Sequence, residues 1–410
     1  MKYFAVVFGI VAAACEATPE IETEIDTDVA ELVTGPTRVS TPGVTATLAF
    51  NWGNNLAIDG RGVVHAVWTE GNAVAYTRST NNGTTWPPPG TFGAGPLVPG
   101  AFASLGVRVA ASGDDIYIAW QGVYEGFARV YLIQSHDAGA TFAGPRPISD
   151  AGIGATFPSL AADGTTVAVV WSDNRRPHAE VYARVSRDRG ATFAATTSVS
   201  TPDSRSSWTP SVAVQGSAVH VAWTDERHDT TDCVDRGDPV CYEEEYYRRS
   251  LDGGVTWGPE VRLTFDPGAP KSSWAPSLAV AGDLVHVAYF DFRTGVARIY
   301  YQRSLDRGAT WTPTSERLIS DPTDAQPSAR PVLSARGTQV RMTYWREANG
   351  PADIVIAGST NGGATWAPPG RLTANTAISA THPQIALAPN GSNHVIWMED
   401  NQRVMYMRID

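Results

Sequence analysis

The sequence has little cysteine, little charge and none of the common catalytic motifs. Only 3 of its 410 residues are Cys and 18% are charged. After residue 14 no apolar run approaches the roughly 18 residues of a membrane-spanning helix. A Gly-x-Ser-x-Gly elbow, a His-Glu-x-x-His pair, a phosphate loop and a dinucleotide fingerprint are all missing. The enzyme classes that these motifs define are therefore not indicated.

The composition further limits the class of protein to which the chain can belong. With 42% apolar residues and 13 Trp, the chain has enough apolar surface to fold. The formal net charge of −11 argues against a nucleic-acid partner, which requires a basic face. Gly and Pro, 38 and 28 residues, recur without a collagen period. We expect a turn-rich globular protein.

The first fifteen residues are typical of an export signal. Lys2 precedes an apolar stretch that ends in small side chains before Cys15. Residues 12–15 resemble a bacterial lipobox, in which the Cys carries the lipid; simple cleavage at an Ala-x-Ala site is the alternative. Residues 16–36 are rich in carboxylates and are predicted to be a disordered tether. We expect an exported protein, periplasmic or at the cell surface, that contacts the membrane only through its lipid anchor.

The other two cysteines, Cys233 and Cys241, lie in an acidic insertion at residues 229–247. In an oxidising compartment such a pair forms a disulfide. The seven carboxylates of the insertion would suit calcium, which prefers six to eight oxygen ligands. A solvated acidic loop held by the disulfide is the competing interpretation. No other metal or cofactor is predicted.

One pattern, Ser-x-Asp/Asn-x-Gly-x-Thr-Trp/Phe, occurs six times. The copies begin at Ser79, Ser135, Ser186, Ser250, Ser304 and Ser359. Their third residues are Asn81, Asp137, Asp188, Asp252, Asp306 and Asn361. The Asp or Asn binds the backbone amides ahead of it and the Gly supplies a positive φ, which predicts a structural turn. The closing Trp or Phe is expected to pack the hairpin against its sheet.

The turns belong to a longer repeat. An alternating strand that ends in an aromatic residue recurs seven times, at Trp68, Trp120, Trp171, Trp223, Tyr289, Tyr344 and Trp397. Strand starts precede these segments and short strands follow the turns, so each repeat holds four strands. We predict an all-β protein, a β-propeller of four-stranded antiparallel blades over residues 37–410. The last unit lacks its outer strand, and residues 37–42 match that strand elsewhere, so they are expected to close a seventh blade. Six blades is the alternative.

Chain direction predicts which face varies. The six turns lie on one face, and the loops after the aromatic strands and between blades lie on the other, where length and sequence differ. The candidate ligand-binding residues there are Asp173, Arg175, Arg205, Trp208, Asp225, Arg227, Trp274, Asp291, Arg293 and Arg330, with His382 nearby. Arg binds a carboxylate bidentately and Trp stacks on a sugar ring. Internal Asp-x-Arg salt bridges and Trp wedges between blades are the competing interpretations.

The six turns resemble the Asp-boxes, or BNR repeats, of the sialidase superfamily. The resemblance implies the propeller fold and, for a true sialidase, a Tyr nucleophile paired with Glu, an Asp acid/base and three Arg. The family's early Arg-Ile-Pro motif is missing here, where residues 51–56 read Asn-Trp-Gly-Asn-Asn-Leu. Substitutes would be Arg175, Arg227 and Arg293 with Tyr246 and Glu244, and the catalytic residues stay unassigned.

These features predict a lipid-anchored, monomeric propeller that binds a glycan or an envelope or extracellular protein on the face opposite the Asp-boxes. The alternative is a glycoside hydrolase, either a divergent exo-sialidase or another glycan-cleaving enzyme.

Overall fold

A computed structural model describes residues 35–48, 54–92, 106–124, 127–228, 243–265, 272–311, 316–348, 350–373 and 377–410. These residues form strands and turns, with no helix among them, and so none of the described segments is a helix that could cross a membrane. The predicted signal and tether, Cys15, Cys233 and Cys241 lie outside the described residues, apart from the last two residues of the tether.

Seven antiparallel sheets, numbered here as blades 1 to 7, follow one another along the chain. From the inside outward, blade 1 contains β3 (Leu56–Ile58), β4 (Val64–Glu70), β5 (Ala73–Ser79) and β6 (Gly90–Phe92). Blade 2 contains β7 (Arg108–Ser112), β8 (Asp115–Tyr124), β9 (Phe127–Ser135) and β10 (Arg146–Pro147). Blade 3 contains β11 (Ala155–Asp163), β12 (Thr166–Asp173), β13 (Glu180–Ser186) and β14 (Thr197–Ser198). Blade 4 contains β15 (Ser207–Gln215), β16 (Ala218–Asp225), β17 (Glu244–Ser250) and β18 (Val261–Arg262). Blade 5 contains β19 (Ser273–Ala281), β20 (Leu284–Asp291), β21 (Arg298–Ser304) and β22 (Arg317–Leu318). Blade 6 contains β23 (Ser328–Arg336), β24 (Gln339–Ala348), β25 (Gly350–Ser359) and β26 (Gly370–Arg371). Blade 7 contains β27 (Ala380–Leu387), β28 (Asn393–Glu399), β29 (Arg403–Ile409) and β1 (Thr37–Arg38).

The seventh blade closes the ring with both ends of the chain. β1 pairs antiparallel with β29, so that Thr37 lies opposite Tyr406. A further short strand, β2 (Ala46–Thr47), pairs with β4 beside β3. The predicted seven blades and N-terminal closure are confirmed, and the six-bladed alternative is wrong. Closure pairs the outer edge of β29, so that only the short strand β1 is left at the edge of this blade.

The core lies between blades. The second strand of a blade is covered on both faces, which is why β12 and β16 are buried at every residue and rich in Val and Ala. The seven aromatic residues that define the repeat are all at most 2% exposed. Each core cluster joins residues of neighbouring blades, as where Val181 of blade 3 packs with Val212 and Trp223 of blade 4.

Each Asp-box turn is held by its own side chains. In the third blade the hydroxyl of Ser186 donates to Oδ1 of Asp188 (2.6 Å), and Gly190 N–H donates to that hydroxyl (2.8 Å). Thr192 donates its amide to Oδ1 and its hydroxyl to Oδ2 of Asp188. Hydrogen bonds from Ser186 and Thr192 lower the pKa of Asp188 to about 2. The carboxylate is therefore committed to the turn.

The closing aromatic of the Asp-box joins two blades. Trp311 of blade 5 packs edge-on against Tyr247 of blade 4, with 4.9 Å between ring centroids. Equivalent contacts are Trp86–Tyr406, Phe142–Tyr76 and Trp366–Tyr301. The aromatic thus packs on the sheet of the preceding blade, and not only on its own sheet as expected, because the third strand of that blade faces the turn.

The same tyrosines bind buried histidines of their own blades. Nδ1 of the His lies 2.6 to 2.9 Å from the Tyr hydroxyl in the pairs His65–Tyr76, His220–Tyr247, His286–Tyr301 and His394–Tyr406. Burial lowers the pKa of His220, His286 and His394 to about 4. These imidazoles are therefore neutral at neutral pH and act as structural hydrogen-bonding groups.

Candidate functional site

Backbone hydrogen bonds identify which loops share a face. The amide of an Asp-box residue donates to the turn between the first and second strands of its blade, as in Arg189 to Thr165 (2.9 Å) and Arg307 to Asp283 (2.8 Å). These turns and the Asp-boxes therefore form one face, called here the Asp-box face. The first residues of the inner strands lie at the other end, called the opposite face, as the sequence predicts.

The inner strands line a channel along the axis. It holds a cavity of about 230 Å³ bounded mainly by Ala, Val and Leu side chains from all seven blades, such as Ala110, Ala213 and Leu333. No titratable side chain lines this cavity. The described residues of the channel interior therefore include no side chain that could act as an acid or a base.

Five inner strands are strained at that end. A bulge interrupts each of these strands, and a non-Gly residue with φ between 51° and 67° lies immediately before a Pro. These five positions, called here the mouth residues, are Phe157, Thr209, Ala275, Arg330 and His382. A left-handed residue costs about 1 to 3 kcal/mol, and such strain clusters at functional sites. A following Pro makes the helical regions less accessible still.

The mouth residues come from different blades but approach one another. Phe157 of blade 3 packs against the core cluster formed by blades 5 and 6. Arg330 of blade 6 donates from Nη1 to Nε2 of His382 in blade 7 at 2.7 Å. The guanidinium lies over the ring of Trp345, 4.7 Å from its centroid. The same indole meets His382 edge-on at 5.2 Å.

The protonation state of His382 follows from these contacts. Arg donates only, so Nε2 must accept, and Nδ1 therefore carries the proton that it donates to Thr381 Oγ1 (2.9 Å). Burial and the charge of Arg330 lower the pKa of His382 to about 3. Burial also lowers the pKa of Arg330. The cluster thus combines a cation with a neutral imidazole and an indole ring.

The three Asp-x-Arg segments form internal ion pairs, as in the competing interpretation. Arg175 binds both Asp173 (2.5 Å) and Asp150 (3.0 Å), and its guanidinium lies 3.9 Å from the centre of the Tyr182 ring. The other two sets are Arg227 with Asp225, Glu260 and Tyr246, and Arg293 with Asp291, Glu316 and Tyr300. The hydrogen bonds that Arg175 donates to Asp173 raise the pKa of Arg175 further. These arginines are held by carboxylates within the fold.

The substitute catalytic pair does not form. The hydroxyl of Tyr246 is hydrogen-bonded to Nε2 of His228 at 2.7 Å, whereas Glu244 binds Arg262 and Thr264. Burial raises the pKa of Tyr246 to about 12, which is the wrong direction for a nucleophile. Neither residue has the contacts that the sialidase pattern would require.

The remaining candidates lie on the opposite face. Trp208 and Trp274 are half-buried near the ends of β15 and β19. Trp274 packs against the core between blades 5 and 6, with Phe290 at 6.5 Å, which matches the wedge interpretation. Arg205 is half-buried too, and its backbone amide donates to Asp203.

Two buried carboxyl groups, those of Glu180 and Glu245, are not among the candidate residues predicted from the sequence. Glu180, 1% exposed, accepts hydrogen bonds from Ser200 and from the amide of Asp203, and burial raises its pKa to about 7. Burial raises the pKa of Glu245 well above its ordinary value, and its Oε1 accepts from Thr224. Both are closed off from solvent, so neither can contact a ligand in this conformation. A sequence signal existed only for the second, as part of the acidic run at 243–245.

The described residues contain no group of three His, Cys, Asp or Glu side chains arranged for a metal ion. Only residues 243–247 of the acidic insertion are described. Calcium at this insertion therefore stays a prediction.

Comparisons with known proteins concern the fold. No protein-family model and no curated protein sequence matches the chain. Among solved structures, a polysaccharide lyase of family PL25, an ulvan lyase bound to -[GlcA(1-4)Rha3S]-, matches with a TM-score of 0.64 and 11% identity over 91% of this chain and 95% of that one. The α-L-arabinanase of Penicillium chrysogenum with arabinobiose matches with a TM-score of 0.50 and 12% identity over 90% and 99%.

The intramolecular trans-sialidase from Ruminococcus gnavus is a further match, with a TM-score of 0.46 and 12% identity over 93% of this chain and 97% of that one. The chain has the fold that its Asp-boxes predict, a seven-bladed β-propeller.

Proposed function

We propose that this protein binds a carboxylate-bearing polysaccharide on the face opposite its Asp-boxes, with Arg330 as the carboxylate-binding residue. The observation that carries the proposal is the Arg330–Trp345–His382 cluster at the end of the channel. A guanidinium offers two parallel N–H donors to a carboxylate, and an indole beside it offers an apolar surface to a sugar ring. The two occur together on blades 6 and 7.

Strain at Arg330 supports a role in binding. Its φ of 57° costs stability, and Gly would be tolerated there more easily. The left-handed backbone fixes the side chain between Trp345 and His382, so that less conformational entropy is lost when a ligand binds. Strained backbones at ligand sites commonly serve to hold a side chain in its binding conformation in this way.

The nature of the ligand is supported by one neighbour. The ulvan lyase that shares the fold is bound to a chain containing glucuronate and sulfated rhamnose. Its 11% identity carries the fold alone, so the uronate enters here as a candidate ligand for the cationic cluster.

Binding is favoured over hydrolysis by the state of the described acids and bases. Asp173, Asp225 and Asp291 are each engaged by an Arg two residues later. Both nitrogens of His382 are already hydrogen-bonded, so the imidazole has no lone pair ready to take a proton. A glycoside hydrolase would need an accessible carboxyl group beside the sugar. The carboxyl groups of Asp173, Asp225 and Asp291 do not meet this need, because each residue is only 1% exposed.

The test is a binding assay on the full chain with uronate-containing and neutral oligosaccharides, in which released sugar is measured in the same samples. We expect saturable binding of the acidic sugars, weakened about 10- to 100-fold in Arg330→Gln, because a charge-assisted hydrogen bond contributes about 1.5 to 3 kcal/mol. Arg176→Gln, which removes an exposed charge from the same face, is the matched control and should bind like wild type. Equal affinity in Arg330→Gln and wild type contradicts the proposal, and released sugar would favour the hydrolase.

A further inference from the structure

The Asp-x-Arg segments hold their middle residue in a fixed place. Asp and Arg are joined side chain to side chain, and the Arg backbone amide also donates to the same Asp, at 2.9 Å for Arg227 and 2.6 Å for Arg293. This short ring fixes the residue between them. The middle residues differ in each blade: they are Asn174, Glu226 and Phe292. The Asp–Arg pair is thus constant, whereas the residue that it holds between its two members varies from blade to blade.

Phe292 is the unusual member of this set. Its side chain is 39% exposed, whereas large apolar side chains in this fold are mostly buried between blades. Phe290, at the end of β20, contacts it edge-on with 5.8 Å between centroids. Trp274 lies next to Phe290 on the paired strand. Phe292 and Trp274 are the two partly exposed rings, and Phe290 is the buried ring between them in this chain of contacts; the three are named here the blade-5 platform.

The platform adjoins the mouth residues. Phe290 belongs to the core cluster that also contains Ala275, and Trp274, Phe157 and Ala329 pack against that cluster. Ala329 immediately precedes Arg330 in β23. The platform and Arg330 therefore lie on neighbouring blades, at the same face, and both adjoin the core cluster between blades 5 and 6.

We infer that the blade-5 platform is a second sugar subsite, in which Phe292 stacks on the sugar next to the one bound at Arg330. This inference rests on the proposed function. A sugar ring has an apolar face of C–H groups, and an aromatic ring buries it. The ligand is then at least a disaccharide, with its uronate at Arg330 and its neighbour over Phe292. Asp291 and Arg293 are positioning residues that hold Phe292.

The experiment measures affinity as a function of chain length by calorimetry on the full chain. The probes are glucuronate, a disaccharide of glucuronate and rhamnose, and the corresponding tetrasaccharide. For wild type we expect the disaccharide to bind about 2- to 13-fold tighter than the monosaccharide, because a stacking contact contributes about 0.5 to 1.5 kcal/mol. Phe292→Ala should lose this gain while glucuronate itself binds unchanged, and Phe292→Tyr should keep it.

Controls separate this inference from the proposed function. Asn174→Ala changes the equivalent exposed position in blade 3 and should keep the gain. A Phe292→Ala variant that retains the full gain overturns the platform, whatever Arg330→Gln does. Loss of the gain in Phe292→Ala together with normal glucuronate binding in Arg330→Gln supports the platform and overturns the role of Arg330. A wild-type protein that binds none of the three probes overturns both.

Discussion

The two faces of this propeller are built by opposite rules. On the Asp-box face both backbone and side chains repeat, and the polar groups of each turn satisfy one another, as in Ser186, Asp188 and Thr192. On the opposite face the backbone repeats but the side chains change. The left-handed residue before Pro is Phe, Thr, Ala, Arg or His, and the residue between Asp and Arg is Asn, Glu or Phe.

Under the proposed function, the difference separates scaffold from recognition within a single repeat. A position whose backbone is constant and whose side chain varies costs the same strain in each of the five blades that have it, while giving a different surface. The Asp-box face needs its particular residues because they bind each other. The opposite face needs only its frame, and its variable positions are therefore where a ligand would be recognised.

The largest expected effect is on the Asp-box face, in Gly308→Ala. The new Cβ would lie 1.8 Å from the hydroxyl oxygen of Tyr247, in a residue with φ of +76°. We expect a loss of about 3 kcal/mol or more in the free energy of unfolding, because the turn must move away from blade 4. Urea denaturation measures it.

The matched control is Gly282→Ala, since Gly282 has φ of +64° but open space around its Cβ position. It should lose only the cost of the left-handed backbone, about 1 kcal/mol. Equal losses in the two variants would show that the contact between Tyr247 and Gly308 does not stabilise the ring.

The second expected effect is a loss of stability in acid. The pKa values of His220, His286 and His394 fall to about 4 in the folded chain, against about 6.5 unfolded. The unfolded chain therefore binds more protons between these values. Stability is fully present above pH 6.5 and falls towards pH 4, by about 1.4 kcal/mol per pH unit for each histidine. The raised pKa of Glu180, about 7, partly offsets this loss, because its protonation favours the native state below pH 7.

Urea midpoints of His286→Gln between pH 6.5 and 4 check this prediction. The slope should be smaller than in wild type by one proton. An unchanged slope in His286→Gln would contradict the neutral His–Tyr pair.

A smaller effect is expected on the opposite face in Arg227→Ala. The substitution leaves Asp225, which is 1% exposed, without its Arg, and we expect a loss of about 2 kcal/mol. Sugar binding should be unchanged because Arg227 belongs to the frame. Lost binding with unchanged stability would instead make the Asp-x-Arg arginines recognition residues.

The smallest effect is a gain. Arg307, exposed and left-handed with φ of 59°, occupies the Asp-box position where blades 4 and 6 have Gly253 and Gly362. Arg307→Gly should stabilise the protein by about 0.5 kcal/mol, because relief of strain exceeds the entropy that Gly adds to the unfolded chain. A thermal midpoint at or below that of wild type would contradict this.

The fold could be predicted because its rules are local and repeated. The Asp-box pattern, the strand-ending aromatics and the match of residues 37–42 to other outer strands are sufficient for seven blades and their closure. The buried histidines also had a local pattern, a His three residues before Trp or Tyr in β4, β16, β20 and β28. Their meaning depended on a Tyr one strand away, which the pattern alone does not indicate.

The site was predictable only in part. Arg330 and His382 stand before Pro in the sequence, but 52 residues separate them, and only the packing of blade 7 against blade 6 brings them to 2.7 Å. In the sequence, Arg175, Arg227 and Arg293 were as good candidates for a ligand-binding residue as Arg330. Each of these three arginines binds a second carboxylate, Asp150, Glu260 or Glu316, and that carboxylate comes from a distant part of the chain.

Hydrogen exchange of the full chain, with and without a glucuronate-containing tetrasaccharide, tests the central claim most directly. We predict that the ligand slows exchange in peptides covering residues 328–330, 345 and 380–382, and leaves the six Asp-boxes unchanged. Slowed exchange confined to the Asp-box face would contradict the assignment of recognition to the opposite face.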